Sequence, residues 1–383
     1  MTTQDVRIGI IGASGAFGLF IASAIAEIEG ARITAIAGID EERTRHAADM
    51  LGAESVYLDY HALLKDDAVD LVVVATPPHL HGVMGVDALD AGKALFMEKP
   101  IATTVGDTQA LLAAAARSTA PATVDFVLRY NPLFVVLEDW TSQNLFGMLQ
   151  RVDFQNFAGD EALPPTHWFW NPVQSGGILV EHGVHFFDIY GLLVGALPVA
   201  VQGTLTTRPG TSQEDKVLAT VTYENGATGT YYHAFDKPSR LEKTTGKLAY
   251  DRGYIEIDGW IAMSLTLDAA VSERERAILA ATPDIQLDLV ERYEGAARQT
   301  RGAGNDYTVD WRVKATLALK GSKEAVYRSS VTAALRDLVA QLRDPGFTPR
   351  VTLQDGARST AIAFAAIDPT LDVSALYSEF TMP

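Results

Sequence analysis

The glycine-rich turn formed by residues 12–18 constrains the fold of this chain more than any other feature of its sequence. The turn follows an apolar run at residues 6–11 and precedes residues 16–28, whose apolar side chains recur at helical spacing. The uncharged stretch 8–26, with Ala-Ser-Ala at 22–24, superficially resembles a signal peptide. A strand–turn–helix unit explains the regularly spaced glycines, whereas a secretion signal does not, and we therefore predict the strand–turn–helix unit.

The three glycines of the turn, Gly12, Gly15 and Gly18, indicate a dinucleotide site. In such a site one glycine permits the tight turn, one lets the backbone approach the pyrophosphate, and one lets helix and strand pack closely. The helix N-terminus at Ala16 and Phe17 would present free N–H groups and a positive dipole end to the phosphates. The spacing G-x-x-G-x-x-G is one residue longer than the common G-x-G-x-x-G. A glycine-rich turn without a ligand is the alternative, but the position in the first βα turn favours NAD(P)(H) binding.

Apolar runs alternate with helical patterns over the first third of the 383-residue chain. The predicted strands cover residues 6–11, 32–37, 71–75, 94–97 and 122–128, and the predicted helices cover residues 16–28, 41–51, 79–89 and 104–116. Continuous apolar strands that alternate with helices are typical of a doubly wound parallel sheet buried on both faces. We therefore predict an α/β Rossmann domain over residues 1–124.

The pattern changes after about residue 125, where longer alternating segments appear. Strand patterns cover residues 150–157, 199–207, 216–223 and 228–233, with a hairpin turn signal at residues 224–226. Residues 331–342 form one apolar helical face, which should end at Asp344-Pro345-Gly346. We predict that residues 125–383 form a second, α+β domain on a mostly antiparallel sheet, a division that the chain length favours.

Charge and cysteine content limit the partners of the protein. Asp and Glu number 48 against 31 Lys and Arg, a net charge of −17, so the chain as a whole repels nucleic acid and anionic membranes. No cysteine is present, which excludes disulfides, thiolate chemistry and cysteine-ligated metals. Apart from residues 8–26 we expect no stretch that approaches a membrane span, and we expect a cytoplasmic protein.

The end of the second predicted strand should distinguish NAD from NADP. An acidic residue there binds the ribose hydroxyls, whereas a small residue with a nearby arginine accepts a 2′-phosphate. Asp40 lies 22 residues after Gly18, close to the spacing of a ribose ligand, but it is equally well placed to cap the next helix. Gly38 is the other candidate for the strand end, with Arg43 or Arg45 at the phosphate. The sequence leaves both alternatives open.

Five motifs appear in a defined order over the first half of the chain. They are the glycine turn, Thr76-Pro77 with His81, Glu98-Lys99-Pro100, Arg129-Tyr130-Asn131-Pro132, and the run 175–188 that contains Glu181, His185 and Asp188. Taken together, these motifs resemble those of the glucose–fructose oxidoreductase / inositol dehydrogenase / MocA family. The C-terminal half resembles the family mainly in its many strand-like segments.

The resemblance implies a Rossmann domain followed by an open-sheet domain, and hydride transfer between a nicotinamide and a carbon that bears a hydroxyl or carbonyl group. It makes Lys99 and His185 the catalytic pair, with Glu181 at a third polar position that meets the substrate, and it implies a cis Lys99–Pro100 peptide. The other implied positions are Thr76, Pro77, His81, Glu98 and Arg129 at the cofactor, and Arg129 and Asn131 at the nicotinamide or substrate. It also implies a homodimer or homotetramer, in which a second subunit covers the open sheet face.

Elementary chemistry supports these roles. Histidine, with an ordinary pKa near ~6.5, can take the hydroxyl proton as hydride leaves, and a nearby lysine stabilises the developing alkoxide. Glu181 and His185 are i and i+4, so on a helix they share a face, and the carboxylate can orient the imidazole or hold a substrate hydroxyl. Asp188 is a candidate further partner of His185. Asp188 and His81 are explained equally well as paired buried groups, and Trp168 as a sugar platform or an ordinary core residue.

We therefore predict an NAD(P)-dependent dehydrogenase or reductase that acts on a small molecule: a sugar, polyol or related cyclic compound. Glu181 stands where the family most often has aspartate, and Pro78 where many relatives have asparagine, so the substrate stays open. Glu181, His182 and His185 lack a further ligand cluster, so we expect no metal site. An NAD-dependent glycosidase of the same fold and a non-enzymatic, cofactor-sensing binding protein are the alternatives, and the catalytic set argues against the sensor.

Overall fold

The computed structural model describes residues 5–302 and 304–381. Over these residues the chain forms a 6-stranded sheet, a 9-stranded sheet and a 2-stranded ribbon. The first sheet is parallel throughout, in the order β3-β2-β1-β4-β5-β6. Its strands are β1 Val6–Ile11, β2 Ala31–Ala37, β3 Ser55–Tyr57, β4 Leu71–Val74, β5 Ala94–Met97 and β6 Ala122–Val124, and its helices are α1 Ala16–Ile25, α2 Glu41–Leu51, α3 Tyr60–Leu64, α4 His81–Asp90 and α5 Val105–Arg117. This is the strand order of a Rossmann fold, and the predicted fold class is confirmed.

The central strands β4 and β5 are buried along their whole length. Helices cover both faces of the sheet there, which is why these strands read as continuous apolar runs. The predictions failed at the ends of two elements and at one short strand. The helix predicted at 16–28 ends at Ile25, and the three-residue strand β3 was missed. The strand predicted at 122–128 ends at Val124 because the chain turns at Phe126 and enters a 3₁₀ helix at Val127–Tyr130.

The second sheet follows the order β14-β17-β13-β12-β11-β7-β10-β9-β8, and its neighbours are antiparallel except for the parallel pair β7 and β10. The strands of the second half of the chain are β7 Leu149–Gly159, β8 Pro198–Thr207, β9 Glu214–Tyr223, β10 Thr228–Lys237, β11 Lys243–Tyr250, β12 Gly253–Asp258, β13 Ser264–Val271, β14 Gln286–Arg292, β15 Gln299–Gly302, β16 Asn305–Thr308 and β17 Trp311–Ala318. Its helices are α6 Pro132–Ser142, α7 Pro172–Ser175, α8 Val184–Val194, α9 Glu273–Ala280, α10 Lys323–Arg343, α11 Leu353–Ile367 and α12 Val373–Glu379. The predicted mostly antiparallel sheet and the β9–β10 hairpin are confirmed.

Helix α10 returns from the second half of the chain and packs on α1 of the Rossmann domain. Arg343 donates to the Gly30 oxygen at 2.7 Å, Arg336 donates to the Glu27 oxygen at 3.0 Å, and the ring of Tyr327 lies 4.7 Å from that of Phe20. A single boundary at residue 124 does not describe this return, because the helix belongs to one domain by sequence and touches the other.

The helical run Pro172–Val194 is long and apolar enough to cross a membrane by length and composition, which the sequence prediction overlooked. In the structure 72% of its most apolar window is buried inside the protein. Its hydrophobicity is therefore that of a helix packed within the protein core.

Candidate active site

The glycine turn excludes side chains at two of its three glycines. Gly12 has a φ of +93°, and a Cβ there would lie 2.4 Å from the backbone oxygen of Ala75. A Cβ on Gly18 would lie 2.5 Å from the Gly12 oxygen, because α1 packs closely on the turn. Gly15 has no such constraint: its φ is −82°, and the nearest neighbour of a Cβ would be 3.5 Å away. Gly15 is therefore the glycine whose role is to leave space for a ligand.

The turn fits the pyrophosphate of a dinucleotide. Gly15 is the N-cap of α1. Because glycine has no side chain, nothing caps the free backbone N–H groups near Ala16 and Phe17. An uncapped helix N-terminus with a glycine above it is an anion site. It also lies at the carboxyl ends of the parallel strands, where open α/β sheets bind their ligands.

Asp40 caps α2, accepting a hydrogen bond from the Arg43 backbone N–H at 3.0 Å. This was one of the two roles predicted for it, and a ribose contact stays a prediction. The Arg43 guanidinium reaches back to the glycine turn and donates to the Ser14 oxygen at 3.0 Å. Arg45 turns away and pairs with Glu41 at 2.8 Å. Of the two arginines, the structure therefore places Arg43 beside the phosphate-binding turn.

His81 connects the ends of β4 and β5. Its Nδ1 lies 2.6 Å from the Pro100 oxygen and its Nε2 lies 2.7 Å from the Thr76 oxygen, and the residue is 1% exposed. Burial lowers the pKa of His81 to about 4, so the ring is neutral and donates through one nitrogen at a time. Both ring nitrogens face backbone oxygens, and the predicted cofactor contact of His81 stays a prediction. Its role is to position the loop after β5.

Lys99 and Glu181 form a nearly enclosed ion pair in that loop region. The Nζ atom donates to Glu181 Oε1 at 2.6 Å and to the Glu181 backbone oxygen at 2.8 Å, and the side chains are 14% and 13% exposed. The Lys99–Pro100 peptide is cis, as expected. Thr76 and Pro77 follow β4 at the adjoining strand end, and Pro77 caps the 3₁₀ helix Pro78–Leu80.

Glu181 makes no hydrogen bond to His185 among the described residues, although orienting His185 was one of the two roles predicted for its carboxylate; the other, a substrate contact, stays a prediction. Residues Leu179–Gly183 form a π-helical turn ahead of α8, so α-helical i, i+4 geometry does not connect the two side chains. No hydrogen bond joins them in the described chain, and the Glu181 carboxylate binds Lys99 instead. Single π-turns inside helices are often found at functional sites.

His185 is a buried imidazole without a fixed partner on one side. It is 4% exposed, and its Nδ1 has no hydrogen-bond partner among the described residues. Burial, followed by the Lys99 charge and the neighbouring His182 and His233, lowers the pKa of His185 well below its usual value. The ring is therefore neutral at physiological pH and can accept a proton.

Trp260, which the sequence interpretation missed, forms the wall beside this histidine. Its ring lies 6.0 Å from that of His185, 6.3 Å from that of His182 and 5.0 Å from that of Tyr327. Trp168, the tryptophan singled out from the sequence, lies half-buried on the 3₁₀ helix Trp168–Trp170 beside Phe169, so its substrate contact stays a prediction. The only nearby signal in the sequence was the Asp-Gly turn pair directly before Trp260, and this pair does not predict a place at the site.

Arg129 and Asn131 both make buried structural hydrogen bonds. Arg129 donates to both Asp188 oxygens, at 2.7 and 2.6 Å, and lies 3.4 Å from Asp355. Asp188 is therefore the partner of Arg129 and not of His185. Asn131 is 0% exposed: its oxygen caps α6 at Leu133, and its amide donates to the Ala262 oxygen. The predicted contacts of Arg129 and Asn131 with the nicotinamide or the substrate stay predictions.

Glu98 and Asp125 follow β5 and β6, and the sequence interpretation had not considered Asp125. They are 5% and 1% exposed, and the Asp125 backbone N–H bonds to the Met97 oxygen at 2.8 Å. Burial, and then the nearby Asp125, raise the pKa of Glu98 well above its usual range. Burial raises the pKa of Asp125 to about 6.

A Rossmann domain, a second domain on an open sheet, and a lysine–glutamate pair beside a neutral histidine define an oxidoreductase architecture. Residues 6–126 match the family described as "Oxidoreductase family, NAD-binding Rossmann fold", and residues 137–256 match the GFO/IDH/MocA C-terminal domain. The chain belongs to the Gfo/Idh/MocA oxidoreductase family, and its first domain is the NAD-binding Rossmann domain of that family.

Curated relatives include sugar and inositol dehydrogenases. The chain is 26% identical to scyllo-inositol 2-dehydrogenase (NAD(+)) of Bacillus subtilis over 59% of its own length and 66% of that protein. It is 30% identical to inositol 2-dehydrogenase of Rhizobium meliloti over 52% and 58% of the two lengths. It is 25% identical to D-xylose 1-dehydrogenase (NADP(+)) 2 of Haloferax volcanii over 67% and 80%. These matches therefore span about half to four-fifths of the relatives.

The fold also resembles solved structures over its full length. Levoglucosan dehydrogenase in complex with NADH superimposes with a TM-score of 0.75 at 21% identity, covering 99% of this chain and 100% of that one. The complex of levoglucosan dehydrogenase with NADH and L-sorbose gives a TM-score of 0.76 at 20% identity, covering 100% of both chains. At this identity the likeness concerns the fold.

Proposed function

We propose that the protein is an NAD(P)-dependent oxidoreductase that transfers hydride between the cofactor and a hydroxyl- or carbonyl-bearing carbon of a sugar, polyol or related cyclic compound. The observation that carries the proposal is the neutral, buried His185 close to the Lys99–Glu181 pair, at the strand-end edge that holds the glycine turn. The three curated relatives named above are dehydrogenases of such compounds by name.

The residues can carry both proton and charge. In oxidation, His185 takes the proton of the substrate hydroxyl, the C–H bond is lost as hydride, and a carbonyl remains. When bound, the nicotinamide accepts that hydride, or supplies it in reduction. Lys99 has three N–H donors, of which two go to Glu181, so the third remains for the substrate oxygen as negative charge develops on it. Glu181 thereby positions Lys99.

The test is cofactor turnover. Purified protein is incubated with NAD or NADP in parallel across a panel of sugars, polyols and cyclic compounds, and formation of the reduced nicotinamide is followed by its absorbance. Reduction of one cofactor by one compound class supports the proposal and settles the phosphate preference at Asp40 and Arg43. Hydrolysis of an aryl glycoside without net cofactor reduction would contradict the proposed function and indicate the NAD-dependent glycosidase instead. Cofactor binding without turnover of any compound class would contradict the proposed function and indicate the cofactor-sensing binding protein.

We also propose that a second copy of the chain covers the open face of the large sheet. Leu218 on β9 and Tyr254 on β12 lie on that face, with 36% and 68% of each residue exposed. Apolar side chains repeated across a sheet face mark an interaction surface. Light scattering should give the mass of a dimer or tetramer, and a monomer mass would contradict this.

A further inference from the structure

Two buried carboxyl groups, Glu98 and Asp125, lie side by side at the cofactor edge of the Rossmann sheet. Their strands β5 and β6 are parallel neighbours, with Met97 opposite Val124, so the next residue of each strand reaches the same edge. The two side chains influence each other's ionisation. Glu98 immediately precedes Lys99, so the pair lies directly behind the catalytic lysine.

Three of the four carboxyl oxygens of this pair lack a hydrogen-bond donor. Glu98 Oε1, Asp125 Oδ1 and Asp125 Oδ2 are buried and have no hydrogen-bond partner among residues 5–302 and 304–381. Two adjacent carboxyl groups in a dry site cannot both ionise, because each charge disfavours the other. One proton held between them supplies the missing donor and leaves one negative charge on the pair.

The surrounding groups do not cancel that charge. Lys99 is matched by Glu181, and burial keeps His182, His185 and His233 neutral by lowering their pKa values. The phenols that face the pair, Tyr327 on α10 and Tyr130 after β6, stay neutral because burial and the nearby carboxyl groups raise their pKa values. One negative charge is therefore left at this end of the cleft.

We propose that Glu98 and Asp125 share one proton and present a single negative charge to the nicotinamide end of the cofactor cleft, which shifts binding toward the oxidised dinucleotide. The oxidised nicotinamide ring is a cation and the reduced ring is neutral, so a fixed negative charge stabilises only the oxidised form. This inference rests on the proposed function to the extent that it requires a nicotinamide cofactor.

The test is an affinity ratio, measured by titrating native protein and the double variant Glu98→Gln/Asp125→Asn with oxidised and reduced dinucleotide and following tryptophan fluorescence. The two amides keep the shapes of both side chains and leave no carboxyl group to carry the charge, so the ratio of the oxidised to the reduced Kd should rise about tenfold, mainly through weaker oxidised binding. The matched control is Asp70→Asn, which removes a carboxylate paired with Arg7, next to the N-terminal end of β4, and should leave the ratio unchanged. An unchanged ratio in Glu98→Gln/Asp125→Asn, with both forms still bound, overturns the inference and leaves the proposed function intact.

A second measurement avoids any folding defect of the variant. Calorimetric titration of native protein in two buffers of different ionisation enthalpy counts the protons released on binding. The cationic ring should expel part of the shared proton, so oxidised dinucleotide should release more protons than reduced dinucleotide. Equal release overturns the inference, and failure of native protein to bind either form overturns the proposed function with it.

Discussion

Glu181 holds Lys99 through two different atoms: its backbone oxygen accepts from Nζ at 2.8 Å and its carboxylate accepts at 2.6 Å. The backbone contact survives any substitution of the Glu181 side chain, whereas the carboxylate contact does not. The two contributions to the position of Lys99 can therefore be separated by mutation.

Replacing Lys99 with alanine should abolish most turnover while cofactor binding persists. The variant removes the amine proposed to stabilise the substrate oxygen and leaves the glycine turn intact, so kcat should fall about 10²–10⁴-fold. The dinucleotide Kd from fluorescence should stay close to the native value. Substantial turnover in Lys99→Ala would show that another group stabilises the alkoxide.

Glu181→Gln should reduce kcat by about 10–100-fold, less than Lys99→Ala does, because the backbone oxygen still binds Nζ. The loss should appear mainly in kcat rather than in the cofactor Kd. Glu181→Asp is the informative companion, because it keeps the charge but shortens the reach by one methylene. A native kcat in both variants would show that the Glu181 side chain does not position Lys99.

The pH profile of oxidation should report the lowered pKa of His185. Because burial moves this pKa well below 6.5, the neutral, proton-accepting ring persists as the pH falls past 6.5 and is lost only further down. We expect log(kcat/KM) to stay level through pH 6.5 and to fall at lower pH, and His185→Asn to show low activity without that limb. An acid limb centred above 6.5 would mean that His185 is more solvated than the structure shows.

Arg129→Ala should destabilise the protein by about 3–5 kcal/mol, because it leaves the buried Asp188 carboxylate without its partner. The free energy of unfolding from urea denaturation measures this. Arg151→Ala is the matched control, since Arg151 and Asp153 form an exposed pair with 51% and 37% exposed side chains, and it should cost at most about 1 kcal/mol. Equal losses would mean that the Arg129 pair is solvated.

Two glycines of one turn should respond differently to alanine. In Gly18→Ala the Cβ would lie 2.5 Å from the Gly12 oxygen, so the free energy of unfolding should drop by about 1–3 kcal/mol. In Gly15→Ala the nearest atom is 3.5 Å away, so stability should be native while dinucleotide affinity falls. Gly106→Ala in α5, where a Cβ meets nothing within 4 Å, should change neither. Native affinity in Gly15→Ala would show that the pyrophosphate does not lie above this residue.

The sequence predicted which residues lie at the ends of the strands better than it predicted the hydrogen-bond partners of the polar side chains. Lys99 follows a continuous apolar strand, and parallel strands bring such positions to one edge, so its place at the site was predictable. The partners of Arg129 were not predictable, because α11 brings Asp355 to it from 226 residues away. The same holds for Trp260, which reaches His185 only once the second sheet has formed, and for the π-turn that redirects Glu181 to Lys99.

The return of α10 over α1 also means that the cofactor domain is completed by a segment from the second half of the chain. A protein made by exchanging the chain at residue 124 would keep Phe20 and Glu27 but lose Tyr327 and Arg328, their partners in the native pairing. Modular recombination within the family therefore has to transfer residues 323–343 together with the first domain.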